Sequence, residues 1–262
     1  MPDYSVIDFP PIVRMIFHPR KAYSECPENA FDLSVPVDDD DFVEVGTRLY
    51  VAGEERPTLL YFHGNGEVVY DYDNIAPIYN NLGMNLFVAD YRGYGASGGF
   101  PSFAGVCNDA RTILKAVKKE LAQRGFVDDL WVMGRSLGSL SALELASTCP
   151  DQIKGLIIES GFANVVRVMK NLDHFPQEKE LPQFDQECLE MVQKITVPTL
   201  IIHGDEDWIV PHREGVFIYE NLGTENKKMV TIVNAGHNDI MMMSMRDYFG
   251  SIMEFIVKYG GK

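Results

Sequence analysis

The chain has 262 residues, 46% of them hydrophobic and 23% charged, which is ordinary usage for a globular protein. Its 38 acidic residues against 23 basic ones leave a formal charge of −15, which excludes a nucleic-acid partner and steady adhesion to anionic lipid, since both need clustered Lys and Arg. No stretch approaches the roughly 20 consecutive apolar residues of a spanning helix, so no stable membrane insertion is expected.

The first residues, Met1-Pro2-Asp3-Tyr4, carry no basic region leading into a long apolar run, so no secretory signal is read there. Cys26, Cys107, Cys149 and Cys188 are widely spaced, form no CxxC pair, and read as reduced thiols of a cytoplasmic protein. Up to residue 57 the pattern is mixed, with Pro10-Pro11, an acidic run from Asp38 to Asp41 and an extended segment at 42–51. The acidic run reads as a solvated turn, because nothing nearby completes a metal ligand set. The whole stretch is expected to form a peripheral layer with one or two antiparallel strands.

From residue 58 a different rhythm starts. Short apolar runs recur at 59–62, 85–89, 130–133, 153–158, 199–202 and 229–233, each the length of a buried strand and most followed by Gly, Asp or His. Segments of helical length lie between them. The clearest is 104–124, with Val106, Ala110, Ile113, Leu114 and Val117 on one face, Lys115, Lys118 and Lys119 on the other, and Gly125 as its stop. Strand alternating with helix predicts an α/β fold: a mostly parallel central sheet flanked by helices on both faces, as one domain over residues 1–262. Residues 161–197 break the alternation with more chain than a simple crossover uses. They read as a small lid-like excursion, with helical pieces at 165–172 and 186–195 and prolines at 176 and 182.

Chemistry concentrates at the ends of the apolar runs. Gly134-Arg135-Ser136-Leu137-Gly138 is a G-x-S-x-G element between the strand at 130–133 and a helical pattern at 140–147. A serine on such a turn is forced into strained backbone and lifted above the sheet, with the N-terminus of the next helix favouring negative charge beside it. A hydroxyl needs a base, and His237 follows the strand at 229–233 on a loop that can reach over the sheet. His63 and His203 each precede a glycine at a strand end and read as structural; His18, His174 and His212 have no such placement. For the carboxylate that orients the base, the segment after the strand at 199–202 offers Asp205, Glu206 and Asp207, and Glu159 ends an earlier strand. An apolar strand also runs into His63-Gly64-Asn65-Gly66, a turn suited to presenting backbone N–H groups to an anion.

Taken in this order, and with Asp90-Tyr91-Arg92-Gly93-Tyr94-Gly95-Ala96-Ser97 similar to a D-x-R-G-x-G-x-S loop, the chain from residue 58 onward resembles the α/β-hydrolase superfamily. The segment from His203 to Pro211 resembles the H-G-x-x-D-x-x-V-P loop of many serine hydrolases, and that likeness selects Asp207 as the acid. The resemblance implies a Ser136–His237–Asp207 triad and an oxyanion hole made by the backbone N–H groups of Asn65 and Leu137, with Gly66 the alternate for the first. More narrowly, the chain is similar to a small, cap-poor esterase-like branch that includes depalmitoylating acyl-protein thioesterases. Those carry an N-terminal cysteine cluster, whereas Cys26 stands alone here.

The implied reaction is two-step acyl transfer from a small-molecule carboxylic ester or thioester to water, with no metal or organic cofactor. Serine at the elbow separates the chain from relatives that use Asp there for dehalogenation or epoxide opening, and from those that use Cys. An acyltransferase or small peptidase with the same triad, and a non-catalytic binding protein, are the competing readings. Phe162, Met169, Leu172 and Phe175, and Ile240, Met241, Met242 and Met243, either line an acyl pocket or pack in the core. Arg135 reads as an ion-pair partner in preference to a substrate ligand.

Overall fold

The computed structural model describes residues 2–37 and 42–260. The acidic run from Asp38 to Asp41 lies outside them. The strands are β1 (Ala30–Pro36), β2 (Glu44–Tyr50), β3 (Thr58–Phe62), β4 (Asn85–Ala89), β5 (Leu130–Arg135), β6 (Gly155–Glu159), β7 (Thr199–Gly204) and β8 (Lys227–Ile232). The helices are α1 (Pro10–Ile16), α2 (Ala76–Asn81), α3 (Phe103–Gln123), α4 (Ser139–Thr148), α5 (Val165–Asn171), α6 (Pro182–Gln193), α7 (His212–Asn221), α8 (Ile240–Met243) and α9 (Met245–Tyr259). The strand order is β1-β2-β4-β3-β5-β6-β7-β8. Pairs β1–β2 and β2–β4 are antiparallel, while β3–β4, β6–β7 and β7–β8 are parallel. This is the mostly parallel α/β sheet that the strand–helix alternation predicts, in the arrangement that the resemblance to the α/β-hydrolases implies, with the two extra strands of the N-terminal layer pairing antiparallel.

Two compact units share the chain: Tyr4–Val132, and Met133–Lys262 with the N-terminal residues to Asp3. In the first unit, β3 and β4 are buried along their whole length, as parallel strands covered on both faces must be. Their register pairs Thr58 with Asn85 and Phe62 with Ala89. The hairpin of β1 and β2 is tied to this core by Arg48, whose fully buried guanidinium reaches Asp32 Oδ1 at 2.6 Å and Asp73 Oδ1 at 2.8 Å. Helix α3 buries Val106, Ala110, Ile113, Leu114 and Val117 as expected. Its N-terminal N–H groups are satisfied twice over, by the Ser102 hydroxyl on Gly105 N (2.9 Å) and by the Asp8 carboxylate on Phe103 N (2.7 Å) and Ala104 N (2.9 Å). Gly125, at φ +81°, takes the left-handed conformation that ends it.

In the second unit, β6 and β7 are buried along their length, and the register runs from Leu156↔Thr199 to Glu159↔Ile202 and from Thr199↔Lys227 to Gly204↔Ile232. Helix α4 is buried from Ser139 to Ala146, nearly all round, as an interior helix must be. The segment 161–197 contains α5, an exposed connection at 176–180, and α6. Helix α6 buries Phe184, Cys188, Met191 and Val192 and is the ordinary crossover between two parallel strands, so the surplus chain is α5 and the connection behind it. Among the described residues no helix is long and apolar enough to cross a membrane, and the four cysteines are free thiols.

Candidate active site

Strand β5 ends at Arg135 and the chain turns sharply through Ser136, Leu137 and Gly138 into α4. Ser136 sits at φ +51°, a left-handed conformation that a serine adopts only when its surroundings impose it. Two features impose it. A Cβ on Gly134 would stand 2.4 Å from Gly138 O and 2.8 Å from Ala142 Cβ, so strand and helix approach too closely for any side chain there. Ser139 Oγ donates to Ser136 O at 2.6 Å and accepts from Phe162 N at 3.1 Å, pinning the turn to the loop after β6. Leu137 lies in this first turn, where backbone N–H groups have no partner within the helix.

His237 Nε2 stands 2.9 Å from Ser136 Oγ, and its Nδ1 stands 2.7 Å from Asp207 Oδ2. All three residues are buried, at 8%, 8% and 6% exposure for Ser136, His237 and Asp207. The loop carrying His237 is held by two carboxylates, one of which, Asp205, the sequence offers as a candidate acid. Asp205 Oδ1 accepts from Asn234 N at 2.7 Å, and Asp239 Oδ1 accepts from Gly236 N at 2.7 Å. A Cβ on Gly204 would lie 2.2 Å from Ala235 O, so β7 also lets this loop come close.

Geometry also separates the four candidate acids. Asp207 Oδ1 accepts from Ile209 N (3.0 Å) and Val210 N (2.8 Å), leaving Oδ2 for the imidazole. Asp205 is spent on Asn234, Glu206 is exposed, and Glu159 is held by Arg135 Nε at 3.1 Å and Tyr248 OH at 2.6 Å. Burial alone would raise the Asp207 pKa, but hydrogen bonding with His203 and His237, the His237 charge and the Val210 N–H outweigh it, holding the carboxyl well below the usual carboxylate range.

His203 is the residue whose place the sequence did not reveal. Fully buried, its Nε2 lies 2.8 Å from Val210 O and 3.4 Å from Asp207 Oδ2, so it backs the acid loop from behind. Its position at the head of the H-G-x-x-D run was the available signal. His63, by contrast, belongs to the first unit, between Asp90 Oδ1 (3.0 Å) and Gly64 O (2.8 Å). His212 reaches Thr231 Oγ1 at 2.9 Å, while His18 and His174 are exposed. Asn65 sits in the turn after β3, with its side chain occupied: Oδ1 accepts from His18 N (3.0 Å) and Tyr94 OH (2.6 Å), and Nδ2 donates to Ile16 O (2.5 Å). Gly66 follows at φ +80°. Of the apolar candidates, Phe162, Met169, Phe175 and Ile240 are buried in packing, whereas Met242 and Met243 are exposed just beyond His237. Among the described residues no group of acidic, His or Cys side chains is arranged to hold a metal.

Comparison with known proteins adds the lineage. The family model described as serine aminopeptidase, S33 matches residues 53–181 and 179–241. Protein bem46 of Schizosaccharomyces pombe is 31% identical over 78% of this chain and 69% of its own length. Alpha/beta hydrolase domain-containing protein 17C of Mus musculus is 29% identical over 78% of this chain and 61% of its own, so the chain spans less than two thirds of that relative. The Pyrococcus furiosus esterase Pf2001 shares the fold at a TM-score of 0.76 and 17% identity, covering 94% of this chain and 98% of that one. By family match, relatives and fold together, the chain belongs to the α/β-hydrolase superfamily, within the serine aminopeptidase S33 family of hydrolases.

Proposed function

We propose that the protein is a serine hydrolase that cleaves carboxylic esters or thioesters through an acyl-enzyme intermediate. Ser136 Oγ attacks the carbonyl carbon while His237 Nε2 takes its proton, and the carbonyl oxygen becomes an oxyanion received by backbone N–H groups, that of Leu137 among them. The imidazolium then gives that proton to the leaving alcohol or thiol, and the acyl group stays on Ser136. Water enters, loses a proton to His237 and releases the acid by the reverse sequence. Asp207 keeps Nδ1 protonated, so that Nε2 is free to accept, and offsets the charge on the ring.

The observation that carries this reading is the continuous relay from Ser136 Oγ through His237 to Asp207, with steps of 2.9 and 2.7 Å, ending on a serine in left-handed backbone. Preference for esters and thioesters rests on chemistry: alkoxide and thiolate leave with less help than an amine, so this relay suffices without a dedicated amine site. Met242 and Met243 supply adaptable apolar surface next to the base for an acyl chain. Four free cysteines suit a reducing, cytoplasmic setting.

Fluorophosphonate labelling tests the core of the proposal: the native chain takes up one label, and Ser136→Ala takes up none. A chain-length series of p-nitrophenyl esters and acyl thioesters then reads the acyl preference. The family description favours a second reading, cleavage of an aminoacyl amide. Turnover of aminoacyl p-nitroanilides exceeding that of every ester would replace the first reading with the second.

A further inference from the structure

We propose that Arg135 is a positioning residue that clamps the base loop to the nucleophile turn, with Glu159 and Tyr248 as its counterweight; this rests on the triad reading above. Arg135 immediately precedes Ser136, so its backbone is the nucleophile's own. Its side chain does not point away from the site. Nη2 donates to the carbonyl of His237 at 3.0 Å and to Asn238 Oδ1 at 3.0 Å. Nε donates to Glu159 Oε1 at 3.1 Å, and Tyr248 OH donates to Glu159 Oε2 at 2.6 Å. One guanidinium therefore joins the end of β5, the end of β6 and the loop carrying His237, and the Glu159 carboxylate joins it to α9.

This bridge matters because the direct link is not permanent. The Ser136–His237 hydrogen bond is lost when the hydroxyl becomes an acyl ester, and water must then meet the imidazole at an unchanged distance. The guanidinium does not deprotonate in any step, so the bridge persists through the cycle. Arg135 and Glu159 are nearly buried, with side-chain exposures of 12% and 1%, where an ion pair is little screened and its planar fork fixes direction as well as distance. Lysine, whose three donors radiate from one nitrogen on a flexible stem, cannot hold Glu159 and His237 O together in that geometry.

The test compares Arg135→Gln, Arg135→Lys, Glu159→Gln and Tyr248→Phe with the native enzyme on a short p-nitrophenyl ester. Exhaustive fluorophosphonate labelling counts competent serines, so turnover is expressed per site. A displacement of about 1 Å costs up to about a hundredfold. Arg135→Gln is therefore expected to lower kcat per site roughly 10- to 100-fold with KM within about twofold, and Arg135→Lys to recover part of the loss. Glu159→Gln and Tyr248→Phe are expected to lower kcat per site in the same way by smaller factors, and they carry the test if Arg135→Gln does not fold. A purely structural role would reduce the number of labelled sites and leave turnover per site unchanged, which overturns the clamp. A rise in KM alone would make Arg135 a substrate ligand, and would overturn it too. Labelling of Ser136→Ala would instead sink the underlying triad, a separate result.

Discussion

Asp207 faces His237 with one carboxylate oxygen and the backbone of its own loop with the other. Oδ2 lies 2.7 Å from His237 Nδ1, while Oδ1 is held by the N–H groups of Ile209 and Val210 at 3.0 and 2.8 Å. The carboxylate cannot rotate without giving up two hydrogen bonds, so it fixes the imidazole's direction as well as its tautomer. Asp207→Asn keeps the shape but loses the charge, and presents an amide that can favour the wrong tautomer. Its kcat should fall by on the order of 10⁴-fold while the fold persists. Steady-state kinetics with circular dichroism checks both halves.

The same residue predicts acid sensitivity. Its folded pKa lies below the unfolded value near 3.9, so its contribution to stability is complete above that value and is lost as pH falls through the folded pKa. Asp207→Asn removes this component. Urea unfolding at pH 6 and pH 3 should show the native chain losing more stability across the interval than the variant does. Equal losses would mean that the carboxylate is not held as described.

Two glycines give opposite expectations for the same substitution. A Cβ on Gly134 would overlap backbone atoms of Gly138, which cannot swing aside as a flexible side chain would. Gly134→Ala should therefore destabilise by about 1–3 kcal/mol and displace the Ser136 turn, with activity falling further than stability accounts for. Gly250, inside α9, has open space around the built Cβ. Gly250→Ala should stabilise by about 0.5–1 kcal/mol, because alanine loses less backbone freedom in a helix. Thermal melts of the two variants side by side decide both.

What was legible in the sequence is what local chemistry writes. The turn at Ser136 is spelled by glycines at 134 and 138 beside an apolar run, and the strand at 85–89 falls where the uninterrupted apolar residues stand. Boundaries shifted where turns competed. The run at 153–158 begins the strand only at Gly155, because residues up to Ile153 complete the short turn Pro150–Gln152. Helix α6 starts at Pro182, ahead of its apolar pattern, since proline at a first helical turn gives up no hydrogen bond. The second strand allowed for in the N-terminal layer was not located at β1, although Phe31, Leu33 and Val35 alternate there with Asp32 and Ser34, and helix α1, which has no capped apolar stripe, was not assigned. Nor could the sequence show that Glu159 is occupied by Tyr248, 89 residues away, or that His203 stands behind Asp207. Those are tertiary facts, and they leave Asp207 as the candidate carboxylate that stands beside His237 Nδ1.

His63 predicts pH dependence on the alkaline side. Both of its ring nitrogens face acceptors, Gly64 O at 2.8 Å and Asp90 Oδ1 at 3.0 Å, an arrangement that favours the protonated ring, which can donate from both. Burial alone would lower its pKa, but the Asp90 hydrogen bond and charge more than offset that and raise it above 6.5. A raised folded pKa contributes stability that is fully present below 6.5 and is lost as pH rises through the folded value. The native chain should lose stability between pH 6 and pH 9, and His63→Asn, less stable at pH 6, should show a flatter profile. Parallel profiles in urea titrations would contradict the ion pair.

Arg48 offers the sharpest stability test in the first unit. Its guanidinium is fully buried and is shared between Asp32 at 2.6 Å and Asp73 at 2.8 Å, with side-chain exposures of 47% and 20% for the two acids. Nη1 also reaches Ser24 Oγ at 3.0 Å, so the N-terminal segment, β1 and the turn before α2 meet on one side chain. Replacing Arg48 with alanine removes the cation these groups share and leaves Asp73 with the hydroxyls of Tyr50 and Ser24. Breaking such a pair costs about 3 kcal/mol, the low end of the range for buried pairs because Asp32 keeps half its contact with water. Methionine fills the same volume without charge, and Asp32→Asn with Asp73→Asn removes the acids that would be stranded. The triple variant should therefore recover most of the stability that Arg48→Ala loses, measured as urea midpoints. If it is no more stable than Arg48→Ala, stranded carboxylates are not what that substitution costs, and the electrostatic account of the β1–β2 layer is wrong.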